Sequence, residues 1–188
     1  MKKMFGKLYK VILVFFVSLF FVQVSAGAYE TVLIDFPNGG WHKVFYETRP
    51  KETIVQYVPE GQTKFRYGET LIFHSYKWTM NRNMSSQSLL KYHLSQASLK
   101  YRDIQHSTIK DDPLDSIAMW CSALASQCEI IRSTQGYEGI ITMHYINNNP
   151  QYFQNVYPTW LEIIRKVRIY YSYYRWDSIM NKANSVEL

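Results

Sequence analysis

Two cysteines and five histidines are the side chains best suited to redox, metal or proton-transfer chemistry in this chain. The histidines are His42, His74, His93, His106 and His144, and none forms an H-x-x-x-H or H-E-x-x-H spacing. Structural zinc commonly draws on four cysteines, or on a mixed set of cysteines and histidines, at fixed local spacing, which Cys121 and Cys128 do not supply. Surface or half-buried histidines and no metal cofactor are therefore expected. Serines are plentiful, but there is no G-x-S-x-G elbow and no G-x-x-x-x-G-K-[ST] phosphate loop. Gly136 and Gly139 bracket Tyr137-Glu138 in a G-x-x-G that a β-turn accounts for. Glu47, Glu52, Glu60 and Glu69 could act as paired acids only where a fold sets their separation. The sequence points to a non-catalytic protein without cofactors, the alternative being a hydrolase with a dispersed site.

Whether Cys121 and Cys128 can pair depends on the element that carries them. On one helix they would lie about 10 Å apart along the axis, beyond the roughly 7 Å Cα limit for a disulfide. Across a tight hairpin they can sit opposite each other, and a loop this short would contribute about 2–3 kcal/mol. Residues 116–127 admit both readings. As a helix they have Asp112 as cap, Pro113 in the first turn, and Ile117, Cys121, Leu124 and Cys128 on one face; as a strand they run through Met119-Trp120-Cys121. An oxidising compartment favours the hairpin and the bond, and two buried small apolar residues are the alternative.

The N-terminus supplies the reason to expect that compartment. Lys2, Lys3, Lys7 and Lys10 precede the uncharged run Val11–Val22 and the small-residue site Val24-Ser25-Ala26. This is the tripartite pattern of a secretory signal, cleaved after about Ala26, and it is short of the ~20 apolar residues of a membrane span. No acidic residue falls in this segment, so its four lysines supply most of the formal +6. The isoelectric point near 9.2 is thus partly a property of the signal, and nucleic acid is not an expected partner.

Residues 27–180 should form one domain, with 181–188 as a polar, frayed tail. Thr31–Phe36 and Trp41–Thr48 flank Pro37-Asn38-Gly39-Gly40 and predict a first hairpin, and Thr53–Val58 predicts a third strand. Glu69–Trp78 alternates with period two. Leu90, Leu94, Ala97 and Tyr101 predict a helix over 86–101, capped by Ser85 or Ser86. Cys128–Thr134 and Gly139–Ile146 predict a hairpin about Gln135-Gly136. Pro158 opens a helix with Trp160, Leu161, Ile163, Ile164 and Val167 on one stripe, extended by Tyr171 and Tyr174. The fold class is α+β: an antiparallel sheet of about five to seven strands with two packed helices, in two layers.

The C-terminal strip interleaves Arg165, Lys166, Arg168 and Arg175 with Tyr170, Tyr171, Tyr173, Tyr174 and Trp176. Such composition suits contact with a protein partner, a glycan or an anionic membrane surface, because arginine and aromatic side chains anchor interfaces. Its structural alternative is a solvated amphipathic helix with Glu162 and Lys166 paired one turn apart.

Trp41, the run Tyr57-Val58-Pro59-Glu60-Gly61-Gln62-Thr63 and the stretch from Trp120-Cys121 to Gly136 resemble a group of small bacterial exported proteins of poorly defined function. The resemblance covers about residues 40–146 and implies a Mog1/PsbP-like α+β sandwich with structural rather than catalytic motifs. Together these readings predict an exported, periplasmic or secreted binding protein of the bacterial envelope, with a protein partner there, as a subunit of a secretion or surface assembly would have. A small-ligand carrier is a further alternative and would need a closed apolar cavity of about 300 Å³ or more.

Overall fold

A computed structural model describes residues 29–37, 40–78, 84–172 and 185–188. Residues 1–26, where the sequence predicts a signal, and the strip residues Tyr173, Tyr174, Arg175 and Trp176 lie outside the described residues. Ten strands and two helices are described: β1 (Tyr29–Leu33), β2 (Trp41–Arg49), β3 (Glu52–Pro59), β4 (Glu69–Lys77), α1 (Ser86–Lys100), β5 (Gln105–Lys110), β6 (Asp115–Ser122), β7 (Gln127–Gln135), β8 (Gly139–Asn147), α2 (Pro150–Lys166), β9 (Arg168–Ser172) and β10 (Ser185–Glu187). Seven of the strands form one antiparallel sheet in the order β2-β3-β4-β8-β7-β6-β5, and a smaller sheet has the order β10-β1-β9. The fold is α+β, as the sequence predicts. Among the described residues no helix is long and apolar enough to cross a membrane.

The alternation of each strand assigns its residues to opposite faces. On β4, Leu71, Phe73 and Ser75 face one way, and Ile72, His74 and Tyr76 the other. The first face joins Ile117, Cys128, Ile130, Ile141, Met143 and Tyr145 in a core closed by Phe153, Trp160 and Ile164 of α2, with Val32 and Ile34 from the region of β1. The second packs Ala118, Trp120 and Ile131 beneath Leu90 and Leu94 of α1. Because Ile130 and Ile131 are neighbours on β7 yet belong to different clusters, the helices lie on opposite faces. Helices on both sides replace the expected two-layer packing. Apolar patterning identifies a buried face but not which of two faces a helix will choose.

Helix α1 begins where Ser85 caps it, its Oγ accepting the Ser88 N–H at 3.0 Å. Helix α2 begins earlier than Pro158 suggests. Asn149 Oδ1 accepts the Tyr152 N–H at 3.1 Å and Pro150 occupies the first turn, where its missing N–H costs nothing. Pro158 is tolerated inside the helix on its exposed side. The helix also ends sooner than expected, at Lys166. Arg132 closes that end by donating from one guanidinium nitrogen to the carbonyls of Ile164 at 2.7 Å and Val167 at 3.2 Å.

Three further departures share one cause, pairing between segments far apart in sequence. First, β1 does not form a hairpin with β2 but pairs with β9 and β10. Second, Tyr171 continues into β9 instead of extending α2, with Tyr170 opposite Thr31 and Tyr171 opposite Glu30. Third, residues 185–187, expected to fray, pair with β1 as β10. Residues 115–122 resolve to the strand β6. Asp112 does accept backbone N–H groups, from Leu114 at 2.8 Å and Asp115 at 3.2 Å, but as a turn that feeds β6.

The turn between β7 and β8 shows why two glycines bracket Tyr137-Glu138. A Cβ on Gly136 would collide with Glu30 Oε1, and one on Gly139 with the Tyr76 carbonyl. Glu30, itself buried, accepts the N–H groups of Tyr137 and Glu138 and so ties the small sheet to this turn.

Candidate functional site

Cys121 and Cys128 sit directly opposite one another across the β6–β7 hairpin and are bonded, with Cα atoms 4.1 Å apart. The bond closes the short loop 122–127, contributing about 2–3 kcal/mol by restricting the unfolded chain. Its place at a hairpin end, with Cys128 buried in the core, makes it a structural crosslink.

The strip divides between two elements. Arg165 and Lys166 close α2, Arg168 opens β9, and Tyr170 follows; all four are exposed, while Tyr171 is half-buried and stacked on Tyr137 at 4.7 Å between ring centres. Glu162 and Lys166 form the one-turn pair that the sequence admits, at 2.5 Å, each raising the other's preference for its charged form. Among the described residues β9 carries a ladder on one side only, to β1.

Three of the five histidines come together although no local motif connects them. His74 on β4, His144 on β8 and His93 on α1 meet on the α1 side of the sheet, while His42 and His106 are exposed elsewhere. His74 Nε2 lies 2.8 Å from Glu52 Oε2, and its ring stacks on Tyr76 at 3.8 Å. His93 lies against the His144 ring at 4.8 Å, with Nε2 3.5 Å from the Tyr76 hydroxyl. Burial, reinforced by the neighbouring His144 and His74, pushes His93 down to about 3. Burial also lowers His74 against the pull of Glu52, whereas the hydrogen bond from His74 lowers Glu52. A neutral imidazole donating its N–H to an ionised carboxylate satisfies both directions.

His144 has the geometry of a hydroxyl-imidazole-carboxylate relay: Nδ1 is 2.6 Å from Glu129 Oε1, and Nε2 is 2.9 Å from Thr142 Oγ1. A nucleophile must reach its substrate, however, and Thr142 is fully buried. The relay therefore satisfies polar groups inside the fold. Ring nitrogens of His74 and His144 already engage Glu52, Glu129 and Thr142. Among the described residues no three His, Cys, Asp or Glu side chains form a metal-binding group. Of the glutamates that could have formed an acid pair, Glu47 and Glu52 both bind Arg49, at 2.8 and 2.9 Å.

A recess of about 190 Å³ opens on the other side of the sheet, where Trp41, Pro59 and Glu69 at adjacent ends of β2, β3 and β4 meet Tyr152, Asn155 and Trp160 of α2. The β-register creates this meeting, since Trp41 pairs with Pro59 and Glu69 with Asn147. Trp41 is held by stacking on Phe36 at 5.6 Å and by an edge contact with Trp160 at 5.1 Å. Glu69 begins the row that continues through Leu71 and Phe73, so a carboxylate occupies a face that is otherwise core. Asn147 Nδ2 donates to the Tyr145 hydroxyl at 3.0 Å, and that hydroxyl donates to Glu69 Oε2 at 2.7 Å. Burial raises the Tyr145 phenol above its ordinary range, which keeps it a proton donor to Glu69. The recess is open and smaller than a carrier for a drug-sized ligand requires.

A seven-stranded antiparallel sheet with a helix on each face, a lateral three-stranded sheet and a disulfide-closed hairpin define the class of this protein as α+β. No family model, curated protein or solved structure matches the chain.

Proposed function

We propose that this is an exported, non-catalytic binding protein of the bacterial cell envelope, an accessory subunit of a secretion or surface assembly that docks an acidic protein partner. The docking residues are Arg165, Lys166, Arg168, Tyr170 and Tyr171, together with Tyr174, Arg175 and Trp176 from the continuation of the strip in the sequence. The observation that carries this reading is the exposed group Arg165, Lys166, Arg168 and Tyr170, which crosses from the end of α2 onto β9. Arginine and tyrosine together supply charge complementarity and rigid apolar contact. The tripartite N-terminal pattern and the disulfide support an oxidising, extracytoplasmic setting. The resemblance to small exported proteins supports the same setting.

Reversing two charges, Arg165→Glu with Arg168→Glu, is expected to abolish a stoichiometric complex that the unaltered protein forms with one envelope protein, read by cross-linking followed by size-exclusion chromatography. Both side chains are exposed, so the thermal midpoint should stay within a few degrees. A complex that survives the double reversal, or binding to anionic lipid vesicles with no protein partner, would overturn the reading.

A further inference from the structure

We infer that the recess between α2 and the ends of β2, β3 and β4 binds the guanidinium or ammonium side chain of a peptide or protein. It lies toward the opposite end of α2 from the Arg165–Tyr171 strip and does not depend on that strip having a partner.

Three features point to a cation. First, the acceptor is fixed in advance. Glu69 Oε2 takes the Tyr145 hydroxyl at 2.7 Å, which in turn takes Asn147 Nδ2 at 3.0 Å, and both Tyr145 and Asn147 are fully buried. A carboxylate anchored through one oxygen by rigid neighbours presents the other at low reorganisation cost. Second, aromatic rings form part of the wall. Trp41 is immobilised between Phe36 and Trp160, and Tyr152 stands 46% exposed at the rim. A cation near such rings gains from their quadrupoles as well as from the carboxylate. Third, the scale fits. About 190 Å³ accommodates one long side chain and falls short of the roughly 300 Å³ at which cavities for larger ligands begin. Asn155 offers an amide at the mouth for the remaining donors. On the α2 side of the recess Tyr152 belongs to the first turn, where the field of the helix macrodipole is concentrated, whereas Asn155, Val156, Thr159 and Trp160 lie beyond it.

The test follows the indole Nε1–H resonances of Trp41 and Trp160 in the purified protein while capped arginine (Nα-acetyl-L-arginine amide) is added. Capped citrulline, N-acetylglucosamine and free arginine are compared with it. Saturable shifts of both indoles are expected with capped arginine, with citrulline at least tenfold weaker, because it keeps the shape and loses the charge. Glu69→Gln retains an acceptor for Tyr145 and is expected to weaken capped arginine by about tenfold or more. The inference fails if no saturable shift occurs, if citrulline or the sugar binds as tightly as capped arginine, if free arginine alone binds, or if Glu69→Gln binds capped arginine unchanged. The citrulline comparison uses the unaltered protein, so it remains decisive should the variant fold poorly.

Discussion

Replacing Trp160 by alanine is expected to destabilise the protein by about 3–5 kcal/mol, the range for truncating a large buried aromatic. Trp160 is 2% exposed, stacks on Tyr145 at 4.1 Å between ring centres and meets Trp41 edge-on. No neighbour can collapse into the space without giving up a contact of its own. Phe153 packs on the far side of Tyr145, and the sheet below is held in register by its ladders. For a domain of this size the loss corresponds to a fall of about 6–20 °C in the thermal midpoint. Trp160→Phe keeps a ring in the stack and should recover more than half of the difference. A fall of less than about 3 °C for the alanine variant would mean that α2 is not anchored on the sheet as described.

The second large effect is expected at Arg132. Its Nε donates to Asp115 at 2.7 Å, while the same guanidinium serves the carbonyl end of α2; its side chain is 11% exposed and that of Asp115 22%. Arg132→Ala leaves a half-buried carboxylate with Lys110 as its remaining ion-pair partner and strips the helix end of its donors. The cost should be about 3 kcal/mol, at the lower end for a broken buried pair because Lys110 stays. Arg132→Lys restores charge without the planar fork and should recover only part of it.

The pH dependence separates this ion pair from packing. Burial alone would raise Asp115, but its hydrogen bonds to Arg132 and Lys110 outweigh burial and hold the carboxyl below its ordinary range. A depressed folded value contributes stability above the unfolded pKa of about 3.9, and that contribution is lost as the pH falls through the folded value. In urea titrations, the gap between the unaltered protein and Arg132→Ala should therefore be widest near pH 7 and narrow toward about pH 3. A gap that is constant with pH would assign the loss to the arginine's apolar stem instead.

Local signals account for the elements that the sequence identifies well. The alternation through Thr70, Ile72, His74 and Tyr76 marks β4 because one register of a strand must enter a core. Ser85 and the Leu90–Leu94 spacing mark α1 because cap and stripe lie within one short segment. The opposed cysteines follow from hairpin geometry combined with an inferred compartment. β5 carries no such signal: five of its six residues are exposed at a sheet edge, so no apolar period betrays it. β1 and β9 look like a hairpin arm and a helix tail until each finds its partner well over a hundred positions away, a pairing that no local window contains.

The candidate sites divide in the same way. Trp41 and Pro59 stand out in the sequence, and Glu69 is visible as a possible acid, but only the β2-β3-β4 register and the crossing of α2 bring them to one recess. The clue available was Glu69 itself, an acidic residue in register with Leu71 and Phe73. His74, His93 and His144 come from three elements, and their shared environment is likewise a product of the sheet. The basic and aromatic strip was legible as composition, but not its division between α2 and β9, which depends on where Arg132 ends the helix.

The proposed docking surface is tested most directly by placing a photo-activatable cross-linker at position 170 in cells that make the protein, with positions 92 and 99 on α1 as exposed controls. A discrete envelope-protein adduct from position 170, absent from 92 and 99 and lost with Arg165→Glu and Arg168→Glu, is the predicted result. Adducts of equal yield from all three positions, or none from position 170, would contradict it.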